Sequence, residues 1–207
     1  MEDQWLGWAK RLQAIASTGL FFTRDPFDRE RYEELAAISN AMLAAIGDVP
    51  IRRIEGLVSD FSKGYATPKV DVRGAVLDGS TVLLVRERSD GLWTLPGGFA
   101  DVGLSPVENV LREIREEASI QAEVIGLYSV KHKAKHPYDP DARDFYKLFF
   151  LCRAAEPLPG TRGEDSMDAG YFPVNDLPPL SKGRVIERDI LDAVAFSADP
   201  TSMPRID

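Results

Sequence analysis

The apolar residues of this chain keep a helical period over the first third and shift to a strand period over much of the rest. Helical spacing runs from Trp5 to Thr18 and again from Asp28 to Ile46, where Leu35, Ile38, Met42 and Ala45 hold the period after Pro26. A shorter helical piece lies near Ile51 to Phe61. Strand-like runs follow: Val70 to Leu77, then Val82 to Val85 across an Asp78-Gly79 hairpin turn, then Ala122 to Val130, Phe145 to Cys152 and one more near Tyr171. A helix after Ser105 separates early strands from late ones, and a last helix begins around Arg184 and reaches about Phe196. Strands on both sides of a central helix predict an α/β sandwich.

The change of period falls at Tyr65-Ala66-Thr67-Pro68-Lys69, where Pro68 interrupts regular structure. The expected organisation is a small all-α domain over residues 1–64, a linker over 65–69 and an α/β domain over 70–207. A helical unit of about 60 residues scarcely buries a core of its own. It is therefore expected to pack on its α/β domain and also on a second copy, giving a homodimer. No internal repeat or low-complexity tract appears, and Glu156-Pro157-Leu158-Pro159-Gly160 reads as a plain loop.

The helix after Ser105 writes out its own start. Ser105, Pro106 and Glu108 fit N-cap, N1 and N3 of a capping box, with proline where its missing N–H costs nothing. Val107, Val110, Leu111, Ile114 and Ala118 define an apolar face, and Glu113, Glu116 and Glu117 fall together on another. Like charges at those spacings repel by about 0.2–0.5 kcal/mol per pair, and the helix C-terminus adds to the conflict. A divalent cation would remove it. Hard oxygen ligands on a rigid helix suit Mg2+ or Mn2+ that share oxygens with a phosphate-bearing substrate. The alternative is a solvated face neutralised by Arg112 and Arg115. Leu95-Pro96-Gly97-Gly98-Phe99, just upstream, shifts the balance towards a site, because two glycines let backbone approach a ligand closely.

Gly98, Arg112-Glu113-Ile114, Glu116-Glu117 and Ile120 together resemble the catalytic box of the Nudix hydrolases. The resemblance implies a Nudix α/β/α sandwich with a mixed sheet, here preceded by the all-α domain. It also implies metal-dependent cleavage of a nucleoside diphosphate linked to another group. It carries Glu113, Glu116 and Glu117 over as metal ligands for Mg2+ or Mn2+, and Arg112 as the residue that orients them. Two positions depart from the box: Leu104 stands where its first Glu belongs, and Ser119 where its last Gly belongs. The first departure removes a carboxylate that in many members supports the box arginine or a metal-bound water, which leaves the number of metals open.

Outside the box, Trp5-Leu6-Gly7-Trp8-Ala9, Gly19-Leu20-Phe21-Phe22 and Asp28-Arg29-Glu30-Arg31-Tyr32-Glu33-Glu34-Leu35 resemble the helical extension of one Nudix subgroup. That subgroup includes CDP-choline pyrophosphatases and proteins called ADP-ribose pyrophosphatases. Leu92-Trp93-Thr94-Leu95-Pro96-Gly97-Gly98 followed by Ala100-Asp101-Val102-Gly103 matches it too, and there the first box Glu is also commonly replaced. The resemblance favours a CDP-choline-like substrate, then ADP-ribose, with an RNA-processing activity third. A catalytically silent Nudix-fold ligand sensor is the alternative of another class, suggested by Leu104 and Ser119 and opposed by the intact Glu triplet.

Further candidates lie in loops. Arg86 and Arg88, flanking Glu87, are candidate diphosphate contacts together with Gly97 and Gly98. Lys131-His132-Lys133-Ala134-Lys135-His136-Pro137 is the one basic cluster; as a loop it would offer Lys133 and His136 to a diphosphate or base, or else be merely solvated. The spacing of His132 and His136 suits a metal only on a helix, which Pro137 opposes. Asp165 and Asp168, with Tyr171 and Phe172, resemble the late acidic stretch of Nudix proteins that helps position water, and Asp168 is kept as a candidate substrate contact. Trp93 reads as a packing aromatic, and Cys152 as a small core hydrophobe in a strand.

Composition narrows the class without changing the chemistry. At 22.9 kDa, with 44% hydrophobic and 28% charged residues, the chain has globular composition. A single cysteine excludes an intrachain disulfide and suits a reducing compartment. An acidic start without a basic stretch before an apolar run predicts no secretory signal, and no apolar run reaches the roughly 18 residues of a membrane span, so the cytoplasm is the expected location. A net charge of -8 argues against nucleic acid as a general partner.

Overall fold

The computed structural model describes residues 3–59, 65–155 and 168–207. The Glu156–Gly160 loop, Asp165 and the end of the third helical stretch therefore lie outside the described residues. The chain separates into two compact units: one takes Met1–Lys69 with Ala134–His136 and Pro140–Phe145, the other Val70–Lys133, Pro137–Asp139 and Tyr146–Asp207. No single described helix is long and apolar enough to cross a membrane.

In the first unit, α1 (Gln4–Phe22) and α2 (Pro26–Ile46) each start at an aspartate. Asp3 accepts from the Trp5 and Leu6 N–H groups, and Asp25 from Phe27 and Asp28 with Pro26 in the first turn, the side-chain acceptors that helix starts need. α1 runs past Thr18 to Phe22 and includes Gly19, where a side chain would collide with the Tyr32 ring. α3 (Ile51–Ser59) follows. The core is small, formed by Leu6, Ala9, Leu43, Ala44 and Ile54, with the buried Ser39 hydroxyl donating to the Ala9 carbonyl at 2.8 Å. Trp5, Trp8, Phe21, Phe22 and Phe27 stay outside it, with Phe27 68% exposed.

The second unit is a mixed sheet between helices. Its strands are β1 (Lys69–Asp78), β2 (Thr81–Arg86), β3 (Trp93–Thr94), β4 (Gly97–Phe99), β5 (Ala122–His132), β6 (Phe145–Ala154), β7 (Asp168–Pro173) and β8 (Arg205–Ile206). The order is β3-β2-β1-β6-β5-β8, with β4 paired to β1 and β7 to β2. β5 and β8 run parallel, whereas β1–β2, β2–β7 and β5–β6 are antiparallel. Strand alternation then sorts the side chains. Val72, Val76, Leu83, Val85, Phe150 and Cys152 pack with Val110, Ile114 and Ala118 of α4 (Pro106–Ala118). Ala75, Val82, Leu84, Phe149 and Leu151 pack with Ile190, Ala193 and Phe196 of α5 (Glu187–Ala198). Truncating a fully buried member such as Ile114 to alanine costs about 2–5 kcal/mol.

The last helix starts at Glu187 and not at Arg184, because Arg184 is held elsewhere: its guanidinium reaches Glu87 at 2.8 Å, Ser89 at 3.0 Å and Ser181 at 3.0 Å. The first turn of α5 is closed instead by Asp189, which accepts the Ile186 N–H at 2.9 Å.

Candidate active site

α4 opens with both halves of its capping box: the Glu108 N–H donates to the Ser105 hydroxyl at 3.2 Å, and the Ser105 N–H to the Glu108 carboxylate at 2.7 Å. Its apolar face is narrower than the spacing predicts. Val110, Ile114 and Ala118 are buried, but Val107 in the first turn is 39% exposed. Asn109 is fully buried instead, because its amide joins the loop before the helix to the helix itself. The helix ends at Ser119 in the left-handed region, φ 55° and ψ 31°, the conformation that glycine would adopt without strain.

The Gly97-Gly98 segment, as β4, pairs with β1, placing Arg73 opposite Gly97 and Val72 opposite Gly98. The glutamate face of α4 lies against it. The Gly97 N–H donates to the Glu117 carboxylate at 2.9 Å. A Cβ on Gly98 would sit 2.9 Å from Glu113 Oε1, and Gly97 has φ 146° with the Val72 carbonyl where a side chain would be. Gly97 is thus required by close approach to backbone and by its φ, whereas a side chain at Gly98 would displace the Glu113 carboxylate. Gly97, Gly98, Glu113 and Glu117 are brought together, with Glu116 at the more exposed edge.

Burial dominates the electrostatics here. It pushes Glu117 up to about 7, although the Arg73 charge and the Gly97 N–H pull the other way. Burial also raises Glu113, against the charges of Arg112 and Arg73. Glu113 raises Glu117 in addition, and Glu116 raises Glu113. Arg112 donates to Asp101 at 2.8 Å and stands at 3.6 Å from Glu113 and 3.7 Å from Glu116, while Arg115 lies 3.8 Å from Glu116. The arginines therefore neutralise this face only in part.

Sequence reasoning misses Arg73. Its side chain is buried, donates to both oxygens of Asp71 at 2.9 and 3.0 Å and to the Leu95 carbonyl at 3.1 Å, and its charge is felt by Glu117. Lys147 adds a 2.8 Å bond to Asp71 from the other side. The available signal was Asp71 and Arg73 at alternate positions of a strand whose other face is apolar.

The remaining candidates are spread out. Arg86 and Asp168 are partners across the β2–β7 ladder; Arg86 donates to the Gly91 carbonyl at 2.8 Å, and Asp168 accepts the Ala169 N–H at 2.9 Å. Arg88 is exposed in the turn after β2. The basic cluster is not the open loop expected. Lys131 belongs to β5 and is buried against Asp189 at 2.7 Å and Asp192 at 3.0 Å, so it is not available to a diphosphate. Lys133 is buried at the start of a 3-10 turn over Lys133–Lys135, and His136 follows that turn. Trp93 packs edge-on to Phe172, with ring centres 4.6 Å apart, and Cys152 is buried in β6.

Among the described residues no group of three or more His, Cys, Asp or Glu is arranged to hold a metal ion by itself. The donor chemistry nevertheless fits Mg2+ or Mn2+: hard carboxylate oxygens gathered on one helix face, two of them half-buried and raised by that burial. Such ions typically complete their shell with water and substrate phosphate.

Two family models match successive parts of the chain. A family model described as "UDP-X-like, N-terminal oligomerisation domain" matches residues 3–58, and a NUDIX domain model matches residues 67–194. A putative ADP-ribose pyrophosphatase of Bacillus subtilis is 45% identical over 184 residues, covering 89% of this chain and 88% of that protein. Among solved structures, a UDP-X diphosphatase is 33% identical over a match that covers 98% of each chain, with a TM-score of 0.60. An ADP-ribose pyrophosphatase from Streptococcus suis is also 33% identical, covering 68% of this chain and 100% of its own with a TM-score of 0.61.

Proposed function

The chain belongs to the Nudix hydrolases, and from that premise we propose that it cleaves ADP-ribose or a close analogue with Mg2+ or Mn2+ held by Glu113, Glu116 and Glu117. As a Nudix pyrophosphohydrolase it acts on nucleoside diphosphates linked to another moiety, and such enzymes generally need divalent metal ions. One observation supports the site above all: two half-buried carboxylates, both raised by that burial, pressed against a glycine pair.

A bound divalent ion would draw charge from the bridging diphosphate and acidify a water. The protein's own part is positional. The Gly97 N–H fixes Glu117, and Arg112 aligns Glu113 and Glu116. A carboxylate must also take the proton of the attacking water, either one of these glutamates or a loop carboxylate. Arg86 and Arg88, with Gly97, Gly98, Lys133, His136 and Asp168, are the proposed contacts to the diphosphate and its two substituents. ADP-ribose stands first because the relative with 45% identity carries that name; CDP-choline, favoured by the helical extension, is the second reading.

The domain boundaries near 64 and 70 belong to the same proposal, as does a homodimer formed through the helical unit, whose exposed aromatics and match to an oligomerisation domain support it. The test is to incubate the protein with Mg2+ or Mn2+ and ADP-ribose, CDP-choline or a UDP-sugar, and to measure nucleoside monophosphate release alongside sedimentation. AMP release that EDTA abolishes, from a dimer, is expected. A monomer would overturn the assembly, and no release from any of the three with either ion would overturn the reading.

A further inference from the structure

Leu104 removes the carboxylate that the box would supply, yet the box arginine has one. Arg112 Nη1 lies 2.8 Å from Asp101 Oδ2, while Glu113 and Glu116 stand at 3.6 and 3.7 Å. We propose that Asp101 replaces the missing box glutamate as the positioning residue that fixes the Arg112 guanidinium along the Glu113–Glu116 face. The proposal rests on the reading of that face given above.

The local chain is built to hold Asp101 there. Asp101-Val102-Gly103-Leu104 is a tight turn in which the Leu104 N–H reaches the Asp101 carbonyl at 3.4 Å and Gly103 takes φ 91°. Asn109 locks both ends of this turn to α4: its Oδ1 accepts the Asp101 N–H at 2.9 Å, and its Nδ2 donates to the Leu104 and Ser105 carbonyls at 3.3 and 3.1 Å. A fully buried amide is tolerated because every part of it is bonded. The turn is thereby a fixed extension of the helix that carries Arg112. A carboxylate three residues before the box position can then reach the same guanidinium. Leu104 itself is 37% exposed. On the guanidinium side, Arg112 Nε is buried with no hydrogen-bond partner, so Asp101 makes the one contact to Arg112 short enough for a hydrogen bond among the described residues.

Asp101 is 60% exposed in its side chain, and an ion pair of that kind contributes little to stability. A positioning role and a merely structural one therefore separate cleanly. Three variants test it: Asp101→Ala, Leu104→Glu, and both together. One readout is turnover of ADP-ribose with Mg2+. The other needs no substrate: the guanidinium 15N–1H signals of Arg112, assigned by their loss in Arg112→Lys, which report restrained rotation of the Nη groups.

Asp101→Ala should free the Arg112 signals and lower kcat about tenfold with KM within about twofold. Its Tm should stay within about 2 °C. Leu104→Glu should do little alone but should restore both the signals and kcat in the double variant. Unchanged Arg112 signals in Asp101→Ala, or a double variant that recovers neither property, would overturn the proposal. If the unaltered protein cleaves none of the diphosphates, the functional reading fails, and the Arg112 signals alone decide whether Asp101 fixes the arginine.

Discussion

Two groups of buried charges, one at the α4 end of the sheet and one under α5, are treated in opposite ways. Under α5, Asp71 would be raised by burial, but Arg73 and Lys147 more than offset this and hold it at about 2. Lys131 is likewise enclosed by Asp189 and Asp192. At α4, Glu117 is also buried, yet it rises to about 7. Arg73 stands between the two groups: it donates to Asp71 and to the Leu95 carbonyl, and its charge also reaches Glu117, which accepts the Gly97 N–H. These partners lower Glu117 by less than its burial raises it. Buried charge that is paired within the chain serves the fold. A carboxylate whose pKa burial raises in spite of its partners, beside a glycine pair, is what a cation-binding site offers its ion.

The strongest way to break this comparison is Glu117→Gln. Turnover should fall at least about a hundredfold, because a neutral amide neither binds a hard cation well nor accepts a proton. Stability should move the other way. A carboxyl whose folded pKa is raised from 4.5 to about 7 is ionised at a cost above that range, so the metal-free variant at pH 8 should be more stable by about 1–3 kcal/mol. Urea unfolding in EDTA checks this. A less stable variant would mean that Glu117 is paired like Asp71, and the contrast between the two groups would fail.

Asp71 supplies the complementary test. Its folded pKa of about 2 lies below the ordinary 3.8, so its stabilisation is fully present above pH 4 and is lost as pH falls towards 2. The loss should be about 2 kcal/mol in urea midpoints followed over that window. Asp71→Asn should be less stable at neutral pH, since Arg73 and Lys147 would stay buried without their carboxylate, and should lack this acid step. An acid step of equal size in the variant would place the titration elsewhere.

Which of these groups could be read from the sequence follows from how far apart its members lie. The Glu face, the capping box and the helix register of α4 obey short-range rules, so one stretch of chain contains all the information. The α5 group does not: Asp71 and Lys147 are 76 positions apart, and Lys131 and Asp189 are 58 apart. Nothing local marks Lys131 as different from the other lysines of a basic run, which is why the run resembled an open loop. Asp101 lies between these cases. It is near Arg112 in sequence, but the turn that aims it depends on Asn109, which helical spacing places on the acidic face, four residues before Glu113, where nothing local marks it as buried. The short strands β3, β4 and β8 gave no pattern because two or three residues cannot show one.

The smallest effect probes strain and not charge, at the end of the helix that carries the carboxylates. Ser119 holds φ 55°, where a side chain costs about 1 kcal/mol and glycine does not. Ser119→Gly should therefore raise stability by about 1 kcal/mol, or Tm by about 2–4 °C for a chain of this size. Turnover should stay within about twofold. Ser119 follows Glu117 by two residues, so this variant also asks whether the helix end helps to aim the carboxylate. A gain in stability with unchanged turnover leaves Glu117 positioned by Gly97 and the β4 segment, as the 2.9 Å bond between them indicates. A gain in stability accompanied by a tenfold or larger loss of turnover, about 1.4 kcal/mol in the transition state, would instead make the strained helix end part of the catalytic geometry.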